Sequence, residues 1–208
     1  MATITVRATA SVPVEPDEAT VAITLSALRA TPDEAYRVVA ERAQTLASLC
    51  DELGIERAQR STAGLTVQAE FEYVEGRNEQ RGYRATSRTH ARVRDASLVA
   101  QLLEQAVARA EAHVEGPWWK VDQDNPARLE ACRQAAAAAR QKAGAFAEAL
   151  DVQLAALQTV SEPGAIIGGG PVARGMQSVD AMAAPIPVEP GEQLVSAAVE
   201  LTFALEPS

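Results

Sequence analysis

Aromatic residues are scarce in this chain: three phenylalanines, three tyrosines and two tryptophans, 4% of 208 residues. A core short of large rings has to be filled by alanine, valine and leucine. Cysteine is rarer still, with Cys50 and Cys132 alone, far apart in segments that read as helices. They form no CxxC pair and have no histidine at ligand spacing, so both are expected to be packed thiols rather than a disulfide or redox pair. His90 and His113 likewise lack zinc spacing. No stretch reaches about 18 uncharged apolar residues, so no segment is expected to span a bilayer. The first twenty residues hold neither a basic n-region nor a continuous apolar run, so no export signal is read and the chain as written is expected in the cytoplasm. Positive charge is in deficit, 19 Lys and Arg against 28 Asp and Glu, a net charge of -9. Such a surface repels a nucleic-acid duplex or an anionic membrane at long range, and nucleic acid is not expected as a partner.

What is present is ordinary globular material, 47% apolar and 23% charged, in a chain long enough to remove roughly 70% of its extended surface from water. Ile4, Val6, Ala8 and Ala10 alternate with polar neighbours, and after Pro13 and Pro16 a second alternating run carries Ala19, Val21, Ile23 and Leu25. Thr31 and Glu34 make a capping box and Pro32 takes the first helical position. That helix carries Ala35, Val38, Val39, Leu46, Leu49 and Leu53, and Gly54 closes it. A hairpin follows, with Leu65, Val67, Ala69, Phe71 and Tyr73 before a turn near Gly76 to Gln80, then Tyr83, Ala85, Ser87, Ala91 and Val93 on the same parity. That parity predicts one core face and one wet face.

Asp95 caps a helix with Leu98, Val99, Leu102, Leu103 and Val107, and a strand is expected around His113 to Val121. Asn125 and Pro126 open the longest helix, reaching Leu150 and dominated by alanine. A short strand around Leu154 to Val160 precedes Pro163 to Gly191, where six of the twelve glycines and five of the eleven prolines gather into a long loop. The last run is the cleanest strand: Val195, Ala197, Val199, Leu201, Phe203 and Leu205 all fall on odd positions. This order predicts an α+β fold, an antiparallel-rich sheet with three main helices packed on one face. It excludes a Rossmann fold, since the first strand is followed by another strand and no GxGxxG opens a helix.

Several separated segments match one family pattern. They are ITVRATASV at the start, Pro16-Asp17-Glu18-Ala19-Thr20, Leu53-Gly54-Ile55, Thr62-Ala63-Gly64-Leu65, Gly82-Tyr83-Arg84-Ala85, Ala139-Arg140-Gln141-Lys142-Ala143 and Pro190-Gly191-Glu192. In that order, from end to end, the chain resembles the SIMPL-domain family. The resemblance implies one SIMPL-like domain over residues 1–208, or two intertwined subdomains, and a tendency to form ring-like or other multimeric assemblies. It also implies bacterial relatives that are often periplasmic or outer-membrane-associated, some linked to oxidative stress or known as immunogenic antigens, and animal relatives that act as kinase-binding signalling adaptors. It carries no catalytic residues. The missing export signal departs from the bacterial pattern, as a start placed after a removed signal would.

The remaining motifs have plain structural explanations and a few functional rivals. Pro16-Asp17-Glu18 reads as a turn, since adjacent side chains there point apart. Asp122 to Asn125 begins like a calcium loop but lacks its glycine at position six and its glutamate at position twelve, so helix capping by Asn125 is expected. Arg84, Arg88, Arg92 and Arg94, with His90, share the even face of one strand. Glu70 and Glu72 should come opposite them, and a subunit contact is the functional rival. Trp118 and Trp119 put one indole on each face of a strand, one for the core and the other a candidate interface anchor. Ile166 to Pro171 fails the P-loop pattern, lacking Lys-Ser/Thr and a following helix. A Gly/Pro/Ala stretch of this kind reads first as a connector, and Met176, Met182 and Ile186, apolar without a periodic home, make docking of this loop to another subunit or a partner its functional rival.

No catalytic, cofactor or metal residues are assigned. The expectation is a non-enzymatic protein that self-associates into a homo-oligomer and acts by binding protein, with Trp118, Trp119, Arg84, Arg88, Ile166, Met176 and Met182 as interface candidates. The alternative is a cryptic enzyme or small-ligand protein with a pocket between the sheet and the long helix.

Overall fold

A computed structural model describes residues 2–74, 76–163 and 188–207. Its elements are β1 (Ala2–Val14), β2 (Glu18–Arg29), α1 (Pro32–Glu52), a 3-10 turn (Arg57–Gln59), β3 (Arg60–Val74), β4 (Arg77–Val93), α2 (Ala96–Ala110), β5 (His113–Lys120), α3 (Pro126–Ala149), β6 (Val152–Ser161) and β7 (Gln193–Pro207). The α+β class and the three helices stand as expected. The strands sort into two antiparallel sheets rather than one, and the helices divide between them.

The chain forms two compact units. In the first, the sheet order is β1-β7-β6, with the last strand in the middle. Ile4 pairs with Phe203, Val6 with Leu201 and Ala8 with Val199, which gathers one parity of both strands beneath α3. That helix answers with Ala131, Ala135, Ala139, Ala143 and Ala147, all buried. An i, i+4 row of methyl groups lies on one helix face and lets the backbone approach the sheet closely. Val6, Ala139, Ala143, Leu201 and Phe203 pack into one cluster, and Val121, Ala131 and Val195 into another. The other sheet face is polar, with hydroxyl pairs Thr5 to Thr202 at 3.0 Å and Ser11 to Ser196 at 2.8 Å. Asn125 caps α3 by accepting from the Ala127 N–H at 2.9 Å, with Pro126 in the first turn where its missing N–H costs nothing.

The second unit is built around Asp17–Lys120. Its strands run in the order β3-β4-β2-β5, every neighbour antiparallel. With α1 after β2 and α2 after β4, this is a pair of interleaved split βαβ units, the ferredoxin-like arrangement. The odd residues of β2, Ala19, Val21, Ile23, Leu25 and Ala27, are buried with Ala85, Ala91 and Val93 of β4, and α1 and α2 cover them with Val39, Leu46, Leu49, Val99 and Leu102. Val188 packs against the same core. Local chemistry sets the helix ends. Thr31 Oγ1 accepts from the Glu34 N–H at 3.3 Å and Asp95 from the Ser97 N–H at 2.8 Å. After α1, Gly54 takes φ +69. This lets the Ile55 N–H reach the Cys50 carbonyl at 2.9 Å and the Gly54 N–H the Asp51 carbonyl at 3.1 Å, a Schellman closure.

Three sequence expectations are corrected. Cys50 is buried as expected, but Cys132 is exposed, because α3 turns only its alanine row to the sheet. Val107 of α2 is exposed, the buried face passing instead through Ala106 and Ala110. Finally, the apolar row of β3 does not join the core.

Candidate functional site

Pairing fixes where the β3 row points. Leu65 lies opposite Ser87, Val67 opposite Ala85 and Ala69 opposite Tyr83, and in an antiparallel pair directly opposed residues share a face. Leu65, Val67, Phe71 and Tyr73 therefore stand on the face that carries the core of β4 and β2. Yet they are 52%, 40%, 58% and 73% exposed. The helix layer explains this: α1 lies chiefly over β2 and β4, and α2 over β2 and β5. The hairpin also outruns its neighbour. β2 ends at Arg29 opposite Tyr83, so among the described residues the stretch of β4 from Arg77 to Gly82 is paired with β3 alone. A two-stranded ribbon projects there, and its apolar side chains are exposed. The clue in the sequence was length, since β3 and β4 run 15 and 17 residues against 12 for β2.

Gly82 marks the base of that ribbon. Its φ is +142, and an added Cβ would lie 2.4 Å from the Arg29 carbonyl oxygen. Arg81 is the extra residue of a bulge, since Glu70 pairs with Gly82 and Phe71 with Gln80.

Arg84, Arg88 and Arg92 of β4 lie on the opposite face, as their parity predicted, and they are occupied. Arg84 grips the Glu70 carboxylate through two nitrogens and also reaches Ser26 Oγ at 3.4 Å. Hydrogen bonding by Arg84 holds the Glu70 carboxyl below the usual glutamate range, and the same bond pushes the Arg84 guanidinium up. Arg88 bonds Glu115 of β5 at 2.5 Å, and Arg92 donates to the Ala58 carbonyl at 2.9 Å. Glu72 is paired with Arg81 at 3.2 Å. Arg84 and Arg88 thus make ion pairs within the sheet, each worth little at such exposure, and Arg92 is held by a backbone carbonyl.

Trp118 and Trp119 split as their alternation required. Trp119 lies opposite Ala19 and packs against the core, while Trp118, opposite Thr20, is 50% exposed on the arginine-bearing face. Ile166, Met176 and Met182 lie outside the described residues. Leu65, Val67, Phe71 and Tyr73 are the surface residues that sequence reasoning placed in the core instead. Among the described residues no three of His, Cys, Asp and Glu gather as metal ligands would, and no helix is long and apolar enough to cross a membrane.

Such an arrangement defines a class before it defines a family: an α+β protein with one ferredoxin-like sheet that exposes an apolar row on β3 and one three-stranded sheet in which β7 lies between β1 and β6. A family model described as SIMPL, protein of unknown function (DUF541), matches residues 4–203. The chain belongs to the SIMPL family, as its scattered segments had indicated. No curated protein matches it. The family description names no activity, so membership brings no role with it.

Proposed function

We propose that this SIMPL protein is not an enzyme, that it self-associates, and that it acts through protein contacts. One observation carries the proposal: four large apolar side chains, Leu65, Val67, Phe71 and Tyr73, stand exposed in a row on one face of β3. Scattered exposed leucines are normal on a protein surface, but a contiguous apolar row marks an interaction site. The charged groups nearby support contact over chemistry. Glu70, Glu72 and Glu115 are each engaged by an arginine rather than gathered around a common point. Between α3 and its sheet, where a ligand pocket was the rival expectation, Ala139, Ala143, Val6, Leu201 and Phe203 pack together. Light scattering on the purified chain at micromolar concentration is expected to give a mass above that of one chain. A mass of one chain across that range removes the proposal.

A further inference from the structure

Sheet edges are where strands recruit strands, and most proteins guard them with proline, lysine, bulges or shortness. The far edge of this ferredoxin-like sheet is guarded in that way. β5 has eight residues, contains Pro117, and shifts register against β2 between Thr20 and Ala22. Among the described residues β3 is the opposite terminal strand, and beyond a single bulge near its start it has none of these protections. It runs 15 residues without proline or lysine. Its charged residues are satisfied within the unit, Arg60 by Asp51, Glu70 by Arg84 and Glu72 by Arg81. One bulge interrupts it, at Ala63, between Thr62 opposite Thr89 and Gly64 opposite Arg88. From Gly64 to Val74 the strand is regular, and the bulge farther along belongs to β4.

That regular run is centred on Ala69. An antiparallel copy placed about a two-fold axis there pairs it end to end, Gly64 with Val74, Leu65 with Tyr73, Thr66 with Glu72, Val67 with Phe71 and Gln68 with Glu70. Leu65, Val67, Phe71 and Tyr73 then each meet another large apolar residue on the same face, while Val74 meets Gly64. Both glutamates meet a neutral hydrogen-bonding side chain. Moving the axis one residue toward the turn would set Glu70 against Glu70, and two residues would set it against Glu72, contacts that like charges oppose. The match matters because the chain carries net charge -9, so copies repel except where an edge is locally balanced. We infer that two copies join through β3, antiparallel about Ala69, into one continuous eight-stranded sheet. This rests on the self-association proposed above and names its surface. An interface in which the same strand meets itself is closed and two-fold.

The test uses the full chain with Cys132→Ser, which removes the exposed native thiol. In that background Ala69→Cys is expected to form a disulfide-linked dimer with oxidised glutathione, because directly opposed residues lie within disulfide reach. Leu65→Cys alone is expected to give none, since the two copies of that position would lie roughly 27 Å apart. Mixing Leu65→Cys with Tyr73→Cys chains restores cross-linking. Phe71→Lys and Val67→Lys, checked for native circular dichroism, are expected to lower the scattering mass by a factor of about two, back to one chain for a simple dimer. A wild-type assembly that keeps its mass in both lysine variants, with no Ala69→Cys cross-link, overturns the β3 interface while leaving self-association standing. A wild type of one chain mass overturns both.

Discussion

Burial separates the two thiols chemically. Cys50 sits at the end of α1 in the core, and burial pushes its thiol up from the ordinary value, against a smaller opposing pull from Arg60. Only the thiolate attacks, so this group is both shielded and in its inert form. Cys132 is exposed on α3. A colourless-to-coloured thiol reagent is therefore expected to modify one cysteine per native chain, and two after denaturation. Two rapid reactions on the folded protein would mean that the end of α1 is open. Glycine offers a second contrast. At Gly82 an alanine would have to hold φ +142 with its Cβ 2.4 Å from a backbone oxygen, and strained backbone alone costs about 1–3 kcal/mol. At Gly144, inside α3, no atom lies within 4 Å of an added Cβ, and the change should gain about 0.5–1 kcal/mol. Denaturant unfolding is expected to show Gly82→Ala lowering stability and Gly144→Ala raising it.

At the scale of elements, α3 shows what a core poor in aromatic rings requires. Ala139 is fully buried in one cluster with Val6, Ala143, Leu201 and Phe203. Ala139→Leu is expected to cost about 1–3 kcal/mol by overpacking, whereas Ala137→Leu, on the exposed side of the same helix, should stay within about 0.5 kcal/mol. Equal effects in chemical denaturation would contradict the alanine row. The helix ends were legible because caps are local: Thr31, Asp95 and Asn125 each bond a backbone N–H two or three residues on. β3 was legible only in part. Alternation tells which side chains share a face, and it did so correctly for Leu65, Val67 and Phe71. It cannot tell whether a helix lies above that face, since coverage depends on where α1 and α2 come to rest.

For the whole molecule, the sequence pointed to the class but not to the partition into sheets. Strands were recognised from residues two apart, while their partners lie across the chain, Thr5 beside Thr202 and Ser11 beside Ser196. Nothing in a period-two pattern specifies a partner at that separation. The same partition explains why the interface candidates fared differently. Arg84, Arg88, Trp118 and Trp119 were read from strand parity and fell on the faces that parity assigned. The exposed row of β3 became visible only once the order β3-β4-β2-β5 put that strand at an edge.

The pairing of β1 with β7 also has a temporal side. Ribosomes make β1 first and β7 last, with the whole of Asp17–Lys120 emerging in between. The ferredoxin-like sheet has all its strands while translation is still under way. The N-terminal strand, by contrast, must wait for the final fifteen-residue strand before its row of Ile4, Val6 and Ala8 can be covered on both sides.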